Sequence, residues 1–218
     1  MLNIALDGPS GSGKSTIAKA LSKKLNILYL DTGAMYRACA LKAHYLGVNC
    51  KNSDDVAKIV DLINIEVKYS DGAQITLLDG KDVSKEIRQN EISMKASDIS
   101  AHMVVRKKLV ELQRNIAKGI DCVLDGRDIG TNVLPNAKYK FFITASLEVR
   151  TQRRYDELLS RGQKVDFNEL MEEIRVRDYN DSHREFAPLT QADDAVYIDT
   201  SKMSIEEVIN EVLSKIKE

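Results

Sequence analysis

At 218 residues the chain is long enough for one α/β domain with small appendages and a substantial buried core. Its 43% apolar content excludes a disordered chain, and 32 basic against 33 acidic side chains leave a formal charge of −1, without the net basic footprint that favours nucleic-acid or membrane-surface partners. Three cysteines without C-x-x-C spacing and three scattered histidines argue against a disulfide framework or a zinc site. No signal peptide or apolar run of about 20 residues appears, so a soluble protein of the reducing cytoplasm is expected.

The chain opens on an apolar run, LNIAL (2–6), that reads as a strand, and GPSGSGKST (8–16) follows it at once. Gly8, Gly13, Lys14 and Ser15 satisfy the pattern G-x-x-x-x-G-K-[ST]. A loop of Gly8, Pro9, Ser10, Gly11, Ser12 and Gly13, running into Lys14, Ser15 and Thr16, can turn its N–H groups inward around a phosphate. Lys14 would reach the outer phosphates of ATP, Ser15 would meet a Mg2+ ion, and the helix of about 14–25 offers its positive end. The loop alone leaves open whether the terminal phosphate goes to water, to a macromolecule or to a small acceptor.

ILYL (27–30) reads as the second strand, and DTGAMYR (31–37) behind it supplies the hydroxyl of Thr32 and the guanidinium of Arg37. A helix of about 33–46 follows. SDDV (53–56) opens another, with Val56, Ile59, Val60 and Ile63 as its apolar face. Residues 65–84 alternate apolar and polar, with Asp-Gly pairs at 71–72 and 79–80, and predict a hairpin or three-stranded flap inserted between core strands. Val105, Leu109, Leu112 and Ile116 form a helical core stripe. CVL (122–124), KFFIT (140–144) and AVYI (195–198) complete five strands, separated by helical patterns. DFNE (166–169) and SIEE (204–207) are capping boxes that open two late helices. The expected fold is α/β, a five-stranded parallel sheet with helices on both faces, interrupted by two insertions.

Charged residues gather where such a sheet binds ligands. In CVLDGRDIGT (122–131), Asp125 ends a strand beside the phosphate loop, within reach of a magnesium shell, and Arg127 and Asp128 follow from the same edge. A loop in which the Arg and Asp merely pair in water is the plain alternative. In residues 166–184 the stripe Phe167, Leu170, Ile174 continues as Arg177, Asp181, Arg184. That pattern fits a helix passing from core to polar cleft, where guanidinium forks grip phosphate or sugar; it equally fits a frayed end with a surface i,i+4 pair. Arg150, Arg153, Arg154 and Arg161 fall in one short segment, either closing over triphosphate oxygens or forming a solvated face with Glu148, Asp156 and Glu157.

Taken together, DGPSGSGKST, LDTGAMYR, the insertion at 65–84, LDGRDIGT, VRTQRR and RDYNDSHREFAPL resemble the bacterial cytidylate kinase family, P-loop nucleoside monophosphate kinases that phosphorylate CMP and dCMP. The likeness spans nearly the whole chain, and GRDIGT with the R-D-x-x-D-x-x-R run is its most specific part. It implies a core of residues 1–32, 102–145 and 185–218, a monophosphate-binding insertion at about 33–101, a lid at about 146–165 and an acceptor-site helix at about 166–184. It further implies that Arg37, Arg127 and Arg184 hold the acceptor phosphate, and that Ser97, Arg106 and Asp128 read the cytosine. Arg177 and Asp181 would contact the ribose, while Lys14 and the lid arginines Arg150 and Arg154 serve the transfer. Thr32 stands where the family commonly has serine and keeps the hydroxyl. From the helical pattern alone, Arg106 could equally face solvent beside its core stripe.

The implied reaction moves the γ-phosphate of ATP, with Mg2+, to CMP or dCMP. The alternative is a related kinase acting on UMP or another small phosphate acceptor. A GTPase switch would need an N/T-K-x-D segment, which the chain lacks, and a nucleic-acid ATPase is disfavoured by the balanced charge. Partners are therefore expected to be small molecules, with no nucleic acid and no membrane. A monomer is the working expectation.

Overall fold

The computed structural model describes residues 1–70 and 72–216. In chain order the strands are β1 (Asn3–Asp7), β2 (Leu28–Asp31), β3 (Ile65–Ser70), β4 (Ala73–Leu78), β5 (Lys81–Asp82), β6 (Cys122–Gly126), β7 (Tyr139–Thr144) and β8 (Val196–Asp199). The α-helices are α1 (Lys14–Leu25), α2 (Thr32–Tyr45), α3 (Ser53–Ile59), α4 (Asn90–Ile99), α5 (Met103–Ala117), α6 (Leu147–Ser160), α7 (Phe167–His183) and α8 (Ile205–Ile216). All five expected core strands form, within about two residues of their apolar runs.

Two compact units emerge, one of Met1–Leu28 with the chain from Ile120 onward, the other of Tyr29–Gly119. The division falls within β2, the edge strand of a five-stranded sheet ordered β2-β6-β1-β7-β8. In the first unit β1 pairs in parallel with β6 and β7, and β7 with β8. Being flanked on both edges and covered by helices, β1 and β6 are continuously apolar: Ile4, Ala5, Leu6, Cys122, Val123 and Leu124 are all fully buried. Helix α1 lays Ile17, Ala18 and Leu21 into the core and packs on β1, β6 and α8. It stops at Asn26, whose left-handed backbone returns an N–H to the Ser22 carbonyl.

Helix α8 opens with both arms of a capping box: Ser204 N–H donates to Glu207 Oε2 at 2.7 Å, and Glu207 N–H to Ser204 Oγ at 3.2 Å. Asp166 caps α7 by accepting from the N–H groups of Asn168 and Glu169. Helices α6 and α7 share a small core of Leu158, Leu170 and Ile174, closed by Tyr155 edge-on to Phe167 at 5.6 Å.

The second unit is built around α2. That helix is buried on most of its circumference because it packs against α4, α5 and the flap strand β4. The alternating segment forms the expected three-stranded antiparallel sheet, β3-β4-β5. Asp79 and Gly80 make its two-residue turn, both with positive φ (51° and 80°), the conformation a tight hairpin requires. The other Asp-Gly pair begins with Asp71, which lies outside the described residues. Cys39, Cys50 and Cys122 are free and buried. No helix among the described residues is long and apolar enough to cross a membrane.

Helix α3 opens on SDDV as expected, and its cap lies just before that run. The cap is Asn52, one residue earlier, whose Oδ1 accepts from Asp54 and Asp55 N–H at 3.0 and 3.1 Å, while Ser53 is exposed at the first helical position. Asn52→Ala is therefore expected to lower the unfolding free energy by about 1 kcal/mol, and Ser53→Ala by less than about 0.5 kcal/mol. Denaturant midpoints at constant slope measure both.

Candidate active site

In the first unit the chain leaves β1 toward β2 and leaves the neighbouring β7 toward β8, so the two connections part and open a crevice at the carboxyl ends of the strands. The phosphate loop fills it. Gly8 sits at φ +144° against β7, where an added Cβ would lie 1.9 Å from the Ile143 carbonyl oxygen, so no side chain fits. Gly13 then caps α1, and Lys14 turns its ammonium into the loop, donating to the Pro9 carbonyl at 2.6 Å and to Ser12 Oγ at 3.1 Å. Burial drives the Lys14 pKa well below that of a free lysine and nearby Arg127 pushes the same way, against Asp125, Asp7 and Asp181.

Ser15 Oγ donates to Asp125 Oδ2 at 2.6 Å. A hydroxyl beside a strand-end carboxylate is a hard oxygen pair, the donor set Mg2+ takes when phosphates and water complete its shell. Among the described residues no group of three His, Cys, Asp or Glu side chains forms an all-protein metal cage. The Ser15 and Asp125 oxygens fit an ion that arrives with a nucleotide.

Asp7, the last residue of β1, is 5% exposed and accepts from the N–H groups of Ile129 and Gly130 at 2.7 Å each. Burial raises its pKa to about 6, in spite of those two N–H donors and with a further push from Asp128. These bonds fix the loop that presents Arg127 and Asp128. Asp128 is 3% exposed; its Oδ2 accepts from Asn132 Nδ2 at 2.8 Å, and its Oδ1 lies 3.6 Å from Arg184 Nη2.

Asp181 is a further buried carboxylate here. Arg127 Nε donates to it at 2.9 Å and Arg184 Nη1 lies 3.7 Å away. Burial alone would raise the Asp181 pKa; Arg127, Arg177 and Arg184 more than offset it and hold it below the usual carboxylate range. The stripe that begins at Leu170 and Ile174 does run into this polar cluster, and Asp181 is not part of a surface pair. Arg184 is not on the helix but at its C-cap, where Nε donates to the Ala187 carbonyl at 2.6 Å.

The arginines of α6 part company. Arg150 is buried and donates to the Ala145 carbonyl, to Ser10 of the phosphate loop at 3.1 Å, and to Asp178 of α7. Arg153 reaches the Thr200 hydroxyl and carbonyl at 3.0 and 2.9 Å and the Ser12 carbonyl at 3.4 Å. Arg154 and Arg161 both pair with Glu157. Arg153, like Arg150, therefore lies against the phosphate loop.

In the second unit Asp31 caps α2 and grips Arg37 at 2.9 Å. Burial raises the Asp31 pKa, but Arg37, the Ala34 N–H and Arg88 together bring it below the ordinary value. Thr32 is buried in the first turn of α2. Ser97 is half-buried on α4. Arg106 is 1% exposed: its Nη1 donates to the Ser100 carbonyl at 3.2 Å and its guanidinium lies 5.3 Å from the centre of the Tyr36 ring. The solvent-facing alternative for Arg106 is thereby excluded. The buried stripe of α5 is Val105, Arg106, Leu109, Val110, Gln113 and Ala117, with Leu112 and Ile116 only half-buried.

Asn132 lies outside the sequence motifs; Asp7 and Asp178 lie inside them without a role read from sequence, and Arg153 was grouped there with the other arginines of its segment. For Asp7 a signal was present in its place between an apolar strand and the first loop glycine. The others depend on tertiary partners.

Against known families, residues 4–218 match the model for cytidylate kinase. The chain belongs to the cytidylate kinase family. It is 49% identical over 212 residues to a cytidylate kinase of Caldicellulosiruptor bescii, covering 97% of this chain and 94% of that one. To a cytidylate kinase of Halalkalibacterium halodurans it is 46% identical over 222 residues, covering 100% and 98%. Among solved structures it resembles a gluconokinase from Sinorhizobium meliloti (TM-score 0.52, 13% identity, covering 99% of this chain and 91% of that one). It also resembles a shikimate kinase from Bacteroides thetaiotaomicron (TM-score 0.51, 14% identity, covering 100% and 99%). At such identities these likenesses establish a shared kinase fold.

The raised pKa of Asp7 carries a sign. A carboxyl that holds its proton more tightly when folded stabilises the native state most below its unfolded pKa, and that contribution is lost as pH rises through about 6. Asp7→Asn is expected to flatten the pH dependence of unfolding between about pH 4 and 6, removing a drop of at most about 3 kcal/mol. Denaturant titrations of wild type and variant across that range measure the difference in slope.

Proposed function

We propose that the protein transfers the γ-phosphate of ATP to CMP or dCMP, giving ADP and CDP or dCDP. The observation that carries this reading is the buried set Arg127, Asp181, Arg184 and Asp128: guanidinium groups suited to a phosphate, beside a carboxylate that can only accept. Cytosine offers an amino donor at its fourth position, where uracil offers a carbonyl acceptor. A buried acceptor satisfies the first and repels the second. Family membership points to the same acceptor.

Phosphoryl transfer passes through a loose transition state, so the protein chiefly aligns the two nucleotides and neutralises oxygens. The loop amides of residues 8–16 and Lys14 hold the donor phosphates, with Arg150 and Arg153 bracing the loop from α6. Ser15 and Asp125 would hold Mg2+, which when bound with ATP offsets phosphate charge and orients the chain of phosphates. Arg127 and Arg184 set the acceptor phosphate, and Arg177 and Asp181 take the ribose. The family motif extends the assignment to Thr32, Arg37, Ser97 and Arg106 of the second unit. No general base is required, because an ionised phosphate oxygen is already the nucleophile. Closure of the 146–165 segment would keep water from the reacting oxygens.

A coupled assay of ADP release across CMP, dCMP, UMP and other small acceptors tests the reading; turnover confined to UMP or to an acceptor without cytosine overturns it. Lys14→Ala is expected to cost ~10²-fold or more in kcat while the protein stays folded. Asp128→Ala is expected to lower kcat/KM for CMP far more than for UMP, and equal losses would remove Asp128 from base recognition.

A further inference from the structure

The loop after β6 leaves Asp128 almost no freedom in its main chain. Asp7 holds the next two N–H groups, those of Ile129 and Gly130, at 2.7 Å. The turn then closes back on Asp128, whose carbonyl accepts from Asn132 N–H at 2.9 Å and Val133 N–H at 3.0 Å. Gly130 is wedged between the Asp7 carboxylate and the stem of Lys140, with room for no more than a strained Cβ (3.3 and 3.1 Å). What remains to be set is the rotation of the Asp128 side chain.

The same turn sets it. Because the turn brings residue 132 back beside residue 128, the Asn132 carboxamide donates to Asp128 Oδ2 at 2.8 Å. Arg184 lies on the Oδ1 side at 3.6 Å, so the carboxylate plane is held between a neutral donor and a cation. A carboxylate whose rotation is fixed presents its acceptor lone pairs in one direction, and discrimination between an amino group and a carbonyl depends on that direction.

We propose that Asn132 is a positioning residue for base selectivity, acting through Asp128. The proposal rests on the reading that Asp128 recognises the cytosine. Two near-isosteric variants separate the donor from the shape: Asn132→Leu removes the N–H, and Asn132→Asp replaces it with a second carboxylate facing Oδ2. Steady-state kinetics with CMP and UMP on both variants, beside Asp128→Ala, provide the readout, with thermal melting to establish that each is folded.

Asn132→Leu is expected to lower the CMP-to-UMP ratio of kcat/KM by roughly tenfold, the worth of one hydrogen bond to a charged group. Asn132→Asp is expected to lower it further, and KM for ATP should be unmoved in both. If Asp128→Ala collapses the ratio while both Asn132 variants keep it, or if they weaken CMP and UMP equally, the proposal for Asn132 is overturned alone. If Asp128→Ala also leaves the ratio intact, the base-recognition reading falls and takes this proposal with it.

Discussion

The site of the first unit depends on one carboxylate that never need touch a substrate. Asp7 ends the central strand, one residue before the loop that cradles phosphate, and its two oxygens each accept a main-chain N–H from the loop after β6. The donor loop and the loop carrying Asp128 are thereby fixed to the same side chain. An aspartate suits the place because both oxygens must accept; an asparagine would turn an N–H toward an N–H. The burial that this requires disfavours the ionised form, and the two N–H bonds and Lys14 partly compensate.

The arginines show how helical phase sorts one composition into several tasks. Arg150, Arg153 and Arg154 lie within five residues on α6; the first two turn toward the phosphate loop and the third pairs with Glu157. On α7 the same rotation brings Arg177 and Asp181 onto the continuation of the apolar stripe. Asp181 is then shared among Arg127, Arg177 and Arg184, which lets several buried positive charges coexist near Lys14.

Much of this was readable before any coordinates. The phosphate loop is local, a run of glycines and Lys-Ser after a strand, so its pattern is legible without knowledge of any tertiary partner. The core strands were visible because a strand covered on both faces has to be apolar throughout. Helix α4 was not visible. Its buried positions, Ile92, Ala96 and Ile99, keep helical spacing but make only a short stripe, with Met94 exposed off it, and Gln89 before it makes no side-chain cap. The burial of Arg106 was equally hidden, since a Tyr36 ring and a Ser100 carbonyl from other parts of the chain decide it. The residue types at the polar cluster were evident from sequence, but which oxygen each guanidinium would meet was not.

The buried cysteines have a consequence for following how the molecule opens. Burial pushes the Cys39 thiol up to about 12 and the Cys122 thiol to about 11, so neither presents a thiolate to reagent while its surroundings stay closed. Cys39 lies in the core of the second unit and Cys122 in the central sheet of the first. Alkylation of either can then proceed only through an opening that exposes its thiol, so labelling rates report opening and not surface reactivity. The chain thus carries, in native residues and without added probes, a means of timing its own breathing.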